Sequence, residues 1–253
     1  MKNEKLIIGI AIVMLLLSGC ELGNQPVYYG GDILLDDNFN DYANGVQPDG
    51  WDFVDDPDVH NGPSEWYVYD TYDGIYKQAL YQYSGIWGGG YNNTTYFGTT
   101  AIAGDESWTD YTFEVDFFTN CNDDGVGFDF RYVSQQDNGK GFYRLMFMND
   151  VNNGGPFIKL LYHDYGLGQS QAIVSRNDQS YDPSIWNKIK ITVIGSHITC
   201  EMNGSVIFDT VDSRLTHGCI GLFCFQQFGI CFDNVLVTAK DEGNSITGNS
   251  IVD

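Results

Sequence analysis

Tyr111-Thr112-Phe113-Glu114-Val115-Asp116-Phe117 decides the fold class, because its side chains alternate without a break. Tyr111, Phe113, Val115 and Phe117 fall on one side of an extended chain, and Thr112, Glu114 and Asp116 on the other. A period of two marks a half-buried strand, whereas a helix needs apolar residues three and four apart. The same pattern runs on downstream. Residues 126–133 set Val126, Phe128, Phe130 and Tyr132 against Asp129 and Arg131, and residues 142–148 set Tyr143, Leu145 and Phe147 against Arg144. Residues 186–194 set Ile189, Ile191 and Val193 against Lys188 and Lys190. Residues 198–202 and 206–208 flank Asn203-Gly204, a pair that favours the positive φ angles of a tight hairpin. Residues 219–225 and 230–237 complete a set of short, regularly spaced strands, which predicts an all-β sandwich or barrel.

Composition agrees. The 253 residues are rich in Gly, Tyr and Phe, with 15% aromatic and 18% charged side chains, so the chain is neither disordered nor biased to helix. A net charge of −22 argues against nucleic acid and anionic lipid headgroups as partners. There is no tandem repeat, and residues 239–253 are polar without a period, which predicts a flexible C-terminal tail.

The N-terminus carries a separate signal. Lys2 and Lys5 precede an apolar run over 6–17, interrupted only by Gly9. As a helix that run is roughly 18 Å long, short of the roughly 20 residues that a span requires. It ends in Leu17-Ser18-Gly19-Cys20, which resembles the lipobox of bacterial lipoproteins. The resemblance implies a signal peptide over 1–19 and a lipid on Cys20. It also implies a tether over 20–32 and export to the cell envelope: outer membrane, periplasm or cell surface. With Cys20 assigned, five of the six cysteines remain, an odd number. Cys224 and Cys231 flank what reads as a tight hairpin turned at Gln227-Phe228, which would set them opposite one another within disulfide range. The alternative is two small buried hydrophobes.

The order of segments resembles the concanavalin A-like lectin/glucanase superfamily, in its laminin G-like branch. The segments that carry the match are Leu35-Asp36-Asp37-Asn38-Phe39-Asn40-Asp41 with Gly50-Trp51, and the stretch from Gly104-Asp105 through Trp108 to Val115. Gly127-Phe128-Asp129-Phe130-Arg131-Tyr132 with Phe142-Tyr143-Arg144-Leu145 follows, then Trp186 to Ile191 with Met202-Asn203-Gly204. Gly218 to Phe223 and Phe232-Asp233-Asn234-Val235 close the set. The resemblance implies one antiparallel jelly-roll β-sandwich over 33–238. It does not fix a function, because this fold hosts sugar binding, glycoside cleavage and adhesion alike.

Glucanases of this superfamily carry E-x-D-x-x-E on one strand. Here Glu114 and Asp116 are present and Thr119 replaces the last Glu, which argues against that two-carboxylate mechanism. The resemblance also implies a structural calcium where the first and last strands meet, with Asp37 and Asp233 as ligands and turn caps as the alternative. His60, His163, His197 and His217 have no HxH or HxxxH spacing, no CxxC occurs, and Asp55-Asp56-Pro57-Asp58 reads as a solvated loop. Alternation points Arg131, Arg144, Asp129, Glu114 and Asp116 away from the core, as a polar cluster on one sheet face. Tyr69, Tyr72, Tyr81, Tyr83, Trp87 and Tyr91 add stacking material before Gly98. The leading expectation is an envelope-anchored, non-catalytic carbohydrate-binding module that recognises a polysaccharide or oligosaccharide through that face. A glycoside hydrolase or lyase with another catalytic set is one alternative, and a structural adhesion lipoprotein with a protein partner is another.

Overall fold

The computed structural model describes residues 30–240 apart from 73, 90–94, 121–123 and 138. The signal peptide, Cys20, most of the tether, Tyr91, Cys121 and the tail beyond Lys240 lie outside the described residues. In chain order the strands are β1 (Ile33–Asp37), β2 (Trp51–Asp55), β3 (Trp66–Asp70), β4 (Gln78–Gln82), β5 (Gly88–Gly89) and β6 (Tyr96–Phe97). Next come β7 (Thr99–Ala103), β8 (Tyr111–Phe118), β9 (Gly125–Tyr132), β10 (Gly141–Met148), β11 (Phe157–Asp164) and β12 (Gln169–Arg176). The last are β13 (Asn187–Ile194), β14 (His197–Met202), β15 (Ser205–Val211), β16 (Cys219–Phe225) and β17 (Ile230–Ala239).

The strands form two antiparallel sheets packed as a sandwich. One has the order β15-β14-β13-β8-β17-β4-β3, with β1 also on β17, and the other β12-β11-β10-β9-β16-β7-β2. Alternation explains the core between them. Phe113, Val115 and Phe117 on β8 and Ile189, Ile191 and Val193 on β13 meet Phe128 and Phe130 on β9 and Tyr143, Leu145 and Phe147 on β10, all fully buried. Burying each such side chain contributes about 1.5–3 kcal/mol, so this one layer carries much of the stability. The Asn203-Gly204 hairpin forms as the sequence predicts, with φ of 52° and 77° joining β14 to β15.

Two expectations fail, each for a local geometric reason. Strands β16 and β17 are consecutive but lie in opposite sheets, so the segment between them crosses the core edge instead of closing a hairpin. Cys224 pairs with Thr99 and Val126, whereas Cys231 pairs with Tyr81 and Phe118, and no disulfide joins them. Both are buried thiols, the alternative reading. The second failure is a β-bulge on β9. Phe130 faces Ile220 and Tyr132 faces Cys219, which leaves Arg131 as the extra residue, at φ 48°. A one-residue bulge inverts the period-two pattern beyond it. Arg131 therefore turns inward and Tyr132 outward. The Arg131 guanidinium donates to the carbonyls of Leu215 at 2.8 Å and Thr109 at 3.2 Å, and to Asp110 at 3.3 Å. It is 1% exposed and ties the two sheets together at one end; it cannot meet a ligand.

Candidate functional site

The seven-stranded sheet builds a pocket on its outer face. Half of that face is covered, because Tyr96 and Trp87 pack on Met146, Met148, Phe157, Leu161, Phe223 and Phe225 in a second apolar cluster. The other half stays open as a pocket of about 170 Å³ whose wall includes Asp56, Tyr132, Phe142, Arg144, His163 and Tyr165.

Arg144 and Asp129 sit at its base as a cross-strand pair of β10 and β9. Arg144 Nε and Nη2 donate to the two Asp129 carboxylate oxygens at 2.6 and 2.7 Å. The guanidinium also lies 3.3 Å above the Phe223 ring centroid. Gly127 makes this possible, since a Cβ there would come within 3.0 Å of Arg144 Cγ and Cδ. Asp129 is 0% exposed and Arg144 5%, so the pair fixes the sheet face in both position and charge. A buried ion held this way has its lone pairs already engaged and is poorly placed to take a proton from substrate.

Asp56 is the carboxylate left for chemistry. Its backbone N–H donates to Gly98 O at 3.0 Å, and its Oδ2 accepts from Gly98 N at 2.9 Å. Gly98 is required there, because a Cβ would stand 2.0 Å from Cys224 O. Burial pushes the Asp56 carboxyl up to about 6, against the pull of Arg144. Across the pocket, the His163 ring stacks on Phe142 at 4.8 Å and 13°. Burial, then the Arg144 charge, lowers His163 to about 4, so it is neutral at pH 7. Tyr132 stacks on Phe142 at 5.3 Å. Burial raises the Tyr132 phenol and takes Tyr165 well above the usual tyrosine range. At neutral pH the pocket therefore offers one ionised carboxylate, a neutral imidazole and two protonated phenols.

The structure divides the polar cluster that the sequence suggests. Asp129 and Arg144 come together as expected, and Arg131 is withdrawn by the bulge. Glu114 and Asp116 lie on β8, in the opposite sheet, and so on the far side of the sandwich. There Lys188 Nζ stands 3.2 Å from Glu114 and 4.0 Å from Asp116, while Asp116 accepts from Tyr76 Oη at 2.7 Å and Asn234 Nδ2 at 2.9 Å. Thr119 is buried and donates to Gln227 Oε1 at 3.1 Å. The stacking residues divide as well: Trp87 serves the seven-stranded sheet, whereas Tyr69, Tyr81 and Tyr83 belong with the other. Asp56 and His163, dismissed as a loop acid and a lone histidine, are functional candidates that sequence reading misses.

Of the two carboxylates expected to hold calcium, Asp37 faces Val235 across β1 and β17, and Asp233 faces Asp116 across β17 and β8. The Asp37 carboxylate accepts three hydrogen bonds, from Phe39 N at 2.9 Å, Trp51 Nε1 at 2.9 Å and Tyr42 Oη at 3.3 Å. Asp233 Oδ1 accepts from the backbone N–H of Asn234 at 2.7 Å. The described residues contain no group of three or more His, Cys, Asp or Glu side chains that could hold a metal.

Fold and pocket together define a concanavalin A-like jelly roll with a polar site on one outer sheet face. The chain belongs to the 3-keto-alpha-glucoside-1,2-lyase-like domain family, whose model matches residues 38–238. Its fold is similar to carbohydrate-binding module CBM66 from Bacillus subtilis, with 18% identity, TM-score 0.52, and 75% of this chain aligned with 96% of that one. It is also similar to domain 4 of a GH43 extracellular arabinanase from Geobacillus stearothermophilus, solved with arabinotriose, at 9% identity and TM-score 0.51 over 84% and 94% of the two chains. A Bacillus subtilis protein of unknown function with a galectin-like fold aligns at 11% identity and TM-score 0.54 over 84% and 98%. Among curated protein sequences none matches the chain.

Proposed function

We propose that this pocket binds a glucoside oxidised to a ketone at C3 and cleaves it by elimination across C1 and C2. The observation that carries the reading is Asp56, a carboxylate raised to about 6 at the pocket wall near Arg144. General-base catalysis works best with a pKa near the operating pH. A C3 ketone acidifies the proton on C2. The Asp56 carboxylate takes that proton, and the electron pair moves onto the C3 oxygen as an enolate. The enolate collapses, C1 and C2 become doubly bonded, and the bond from C1 to the glycosidic oxygen breaks. The departing oxygen takes a proton from the Tyr132 phenol, which is partly exposed at the pocket wall. Arg144 supplies positive potential to the developing enolate without moving, which is the condition for electrostatic preorganisation.

Hydrolysis by two free carboxylates is less well supported, because Asp129 is locked by Arg144 and Glu114 and Asp116 lie on the other sheet. A second reading keeps the pocket as a non-catalytic glycan site, favoured by the Tyr132–Phe142–His163 stack, whose rings suit the apolar face of a sugar. One experiment separates the two. Purified protein is given a 3-keto-glucoside, and the conjugated enone is followed by ultraviolet absorbance and mass spectrometry. Elimination by the wild type, reduced about 10²–10⁴-fold in kcat by Asp56→Asn with KM kept, supports the lyase. Saturable binding without product supports the module. Lipid on Cys20 would hold either activity at the envelope; palmitate incorporation that persists in Cys20→Ser would refute that part.

A further inference from the structure

The outer face of the eight-stranded sheet carries a second cluster that the pocket does not use. Tyr81 on β4 and Tyr83 just beyond it lie nearly parallel, 5.4 Å apart, and Tyr69 on β3 meets both edge-on. Phe228 packs edge-on against Tyr83 while remaining 62% exposed. Beside them opens a cleft of about 350 Å³. The residues that line it include Tyr72, Tyr81, Phe118, Trp186, Thr71 and Asn120. Trp186 packs between Phe118 at 5.6 Å and Tyr76 at 4.5 Å, and Tyr76 is itself held by Asp116 at 2.7 Å.

The chemistry of this cleft selects its occupant. Among the described residues that line it there is no Leu, Ile, Val or Met, the aliphatic surface that the buried centre of a protein interface uses. Aromatic rings accompanied by a hydroxyl and an amide match a sugar, which has an apolar ring face and hydroxyls around its edge. Tyr72 stands 97% exposed at the mouth, a large aromatic side chain in water with little intramolecular packing to explain it. The neighbouring carboxylates Glu114 and Asp116 have one lysine, Lys188, between them, and the chain's net charge is −22, so an acidic polymer or an anionic membrane is repelled. We infer that this cleft is a second carbohydrate-binding site, for a neutral polysaccharide chain, on the face opposite the pocket.

Affinity electrophoresis of the protein tests this in gels containing arabinan, mixed-linkage glucan or starch, with polygalacturonate as the acidic contrast. At least one neutral polymer is expected to retard the wild type and polygalacturonate is not. Tyr72→Ala and Trp186→Ala are each expected to raise the apparent Kd at least tenfold. Tyr72 is so exposed that its loss cannot unfold the protein, which keeps the test decisive if Trp186→Ala misfolds. Asp56→Asn, altered on the other face, should still be retarded. The inference is overturned if no neutral polymer retards the wild type. It is equally overturned if both aromatic variants are retarded as the wild type is, or if Asp56→Asn alone loses retardation. The last result would assign polymer binding to the pocket.

Discussion

Replacing Arg144 by Ala should be among the most damaging single changes outside the core. The variant strips the guanidinium from Asp129, which is fully buried and receives two of its hydrogen bonds, at 2.6 and 2.7 Å. Removing one partner of a buried pair costs about 3–5 kcal/mol. The lost contact over Phe223, at 3.3 Å, adds about 0.5–2 kcal/mol. For a domain of this size each kcal/mol lowers Tm by about 2–4 °C, so a drop on the order of 10–20 °C is expected. The deficit should depend on pH. Without its partner the Asp129 carboxyl is pushed up by burial, so the folded variant binds a proton more tightly than the unfolded chain. Its stability is then fullest below the unfolded pKa and is lost as pH rises through the raised one. Differential scanning calorimetry between pH 4 and 8 should show the gap from wild type widening upward, and adding Asp129→Asn should recover at least about 2 kcal/mol, because a neutral amide is cheaper to bury. A loss below about 1 kcal/mol, or a gap independent of pH, would refute the reasoning.

Further outcomes follow from the same site and its supports. Asp56, raised to about 6, weakens the fold as pH rises, whereas His163, lowered from 6.5 to about 4, weakens it as pH falls. Between pH 4 and 6.5, Asp56→Asn should therefore make the slope of Tm against pH more positive and His163→Gln more negative; equal slopes would contradict both assignments. Elimination should gain rate as Asp56 deprotonates through about pH 6, and a flat profile would remove it as the base. Gly98→Ala should cost about 1–3 kcal/mol by overpacking against Cys224 O and should lower activity by displacing Asp56; a variant with wild-type Tm and rate would show that the contact yields. Cys200, Cys219, Cys224 and Cys231 are buried, and burial raises the Cys200 and Cys224 thiols, so Ellman's reagent should reach these four only after denaturation. Rapid modification of Cys224 in the folded protein would contradict its placement.

Much of the fold is legible in the sequence because alternation is a local property. Phe113, Val115 and Phe117, or Tyr143, Leu145 and Phe147, can be assigned to the core from their own neighbours alone. The site is less legible because it depends on two things that alternation does not encode. The first is which sheet a strand joins: Glu114 and Asp129 both read as outward-facing, yet they point out of opposite sides of the sandwich. The second is an interruption of the period. Nothing in Phe130-Arg131-Tyr132 announces the bulge, whose φ of 48° falls on an arginine and not on the glycine or asparagine that flags such a position. Asp56 was hidden for a related reason. Asp55-Asp56-Pro57-Asp58 has the composition of a surface loop, and the bond that holds the Asp56 carboxylate at the pocket comes from Gly98, 42 positions away.

The crossing of β16 and β17 into opposite sheets has a consequence for how the molecule comes into being. β16 is the strand that joins β9 to β7, and β17 the strand that joins β8 to β4. Until residues 219–239 arrive, the seven-stranded sheet is two unconnected parts and the eight-stranded sheet three, since β1 also pairs with β17, and those residues follow every other described strand. A chain emerging N-terminus first can form hairpins such as β13 with β14, but it cannot close either layer. Assembly that waits on such distant contacts is slow by the entropy of the loops it must close. Both layers of the sandwich are therefore closed by one contiguous stretch of chain, so they are completed together.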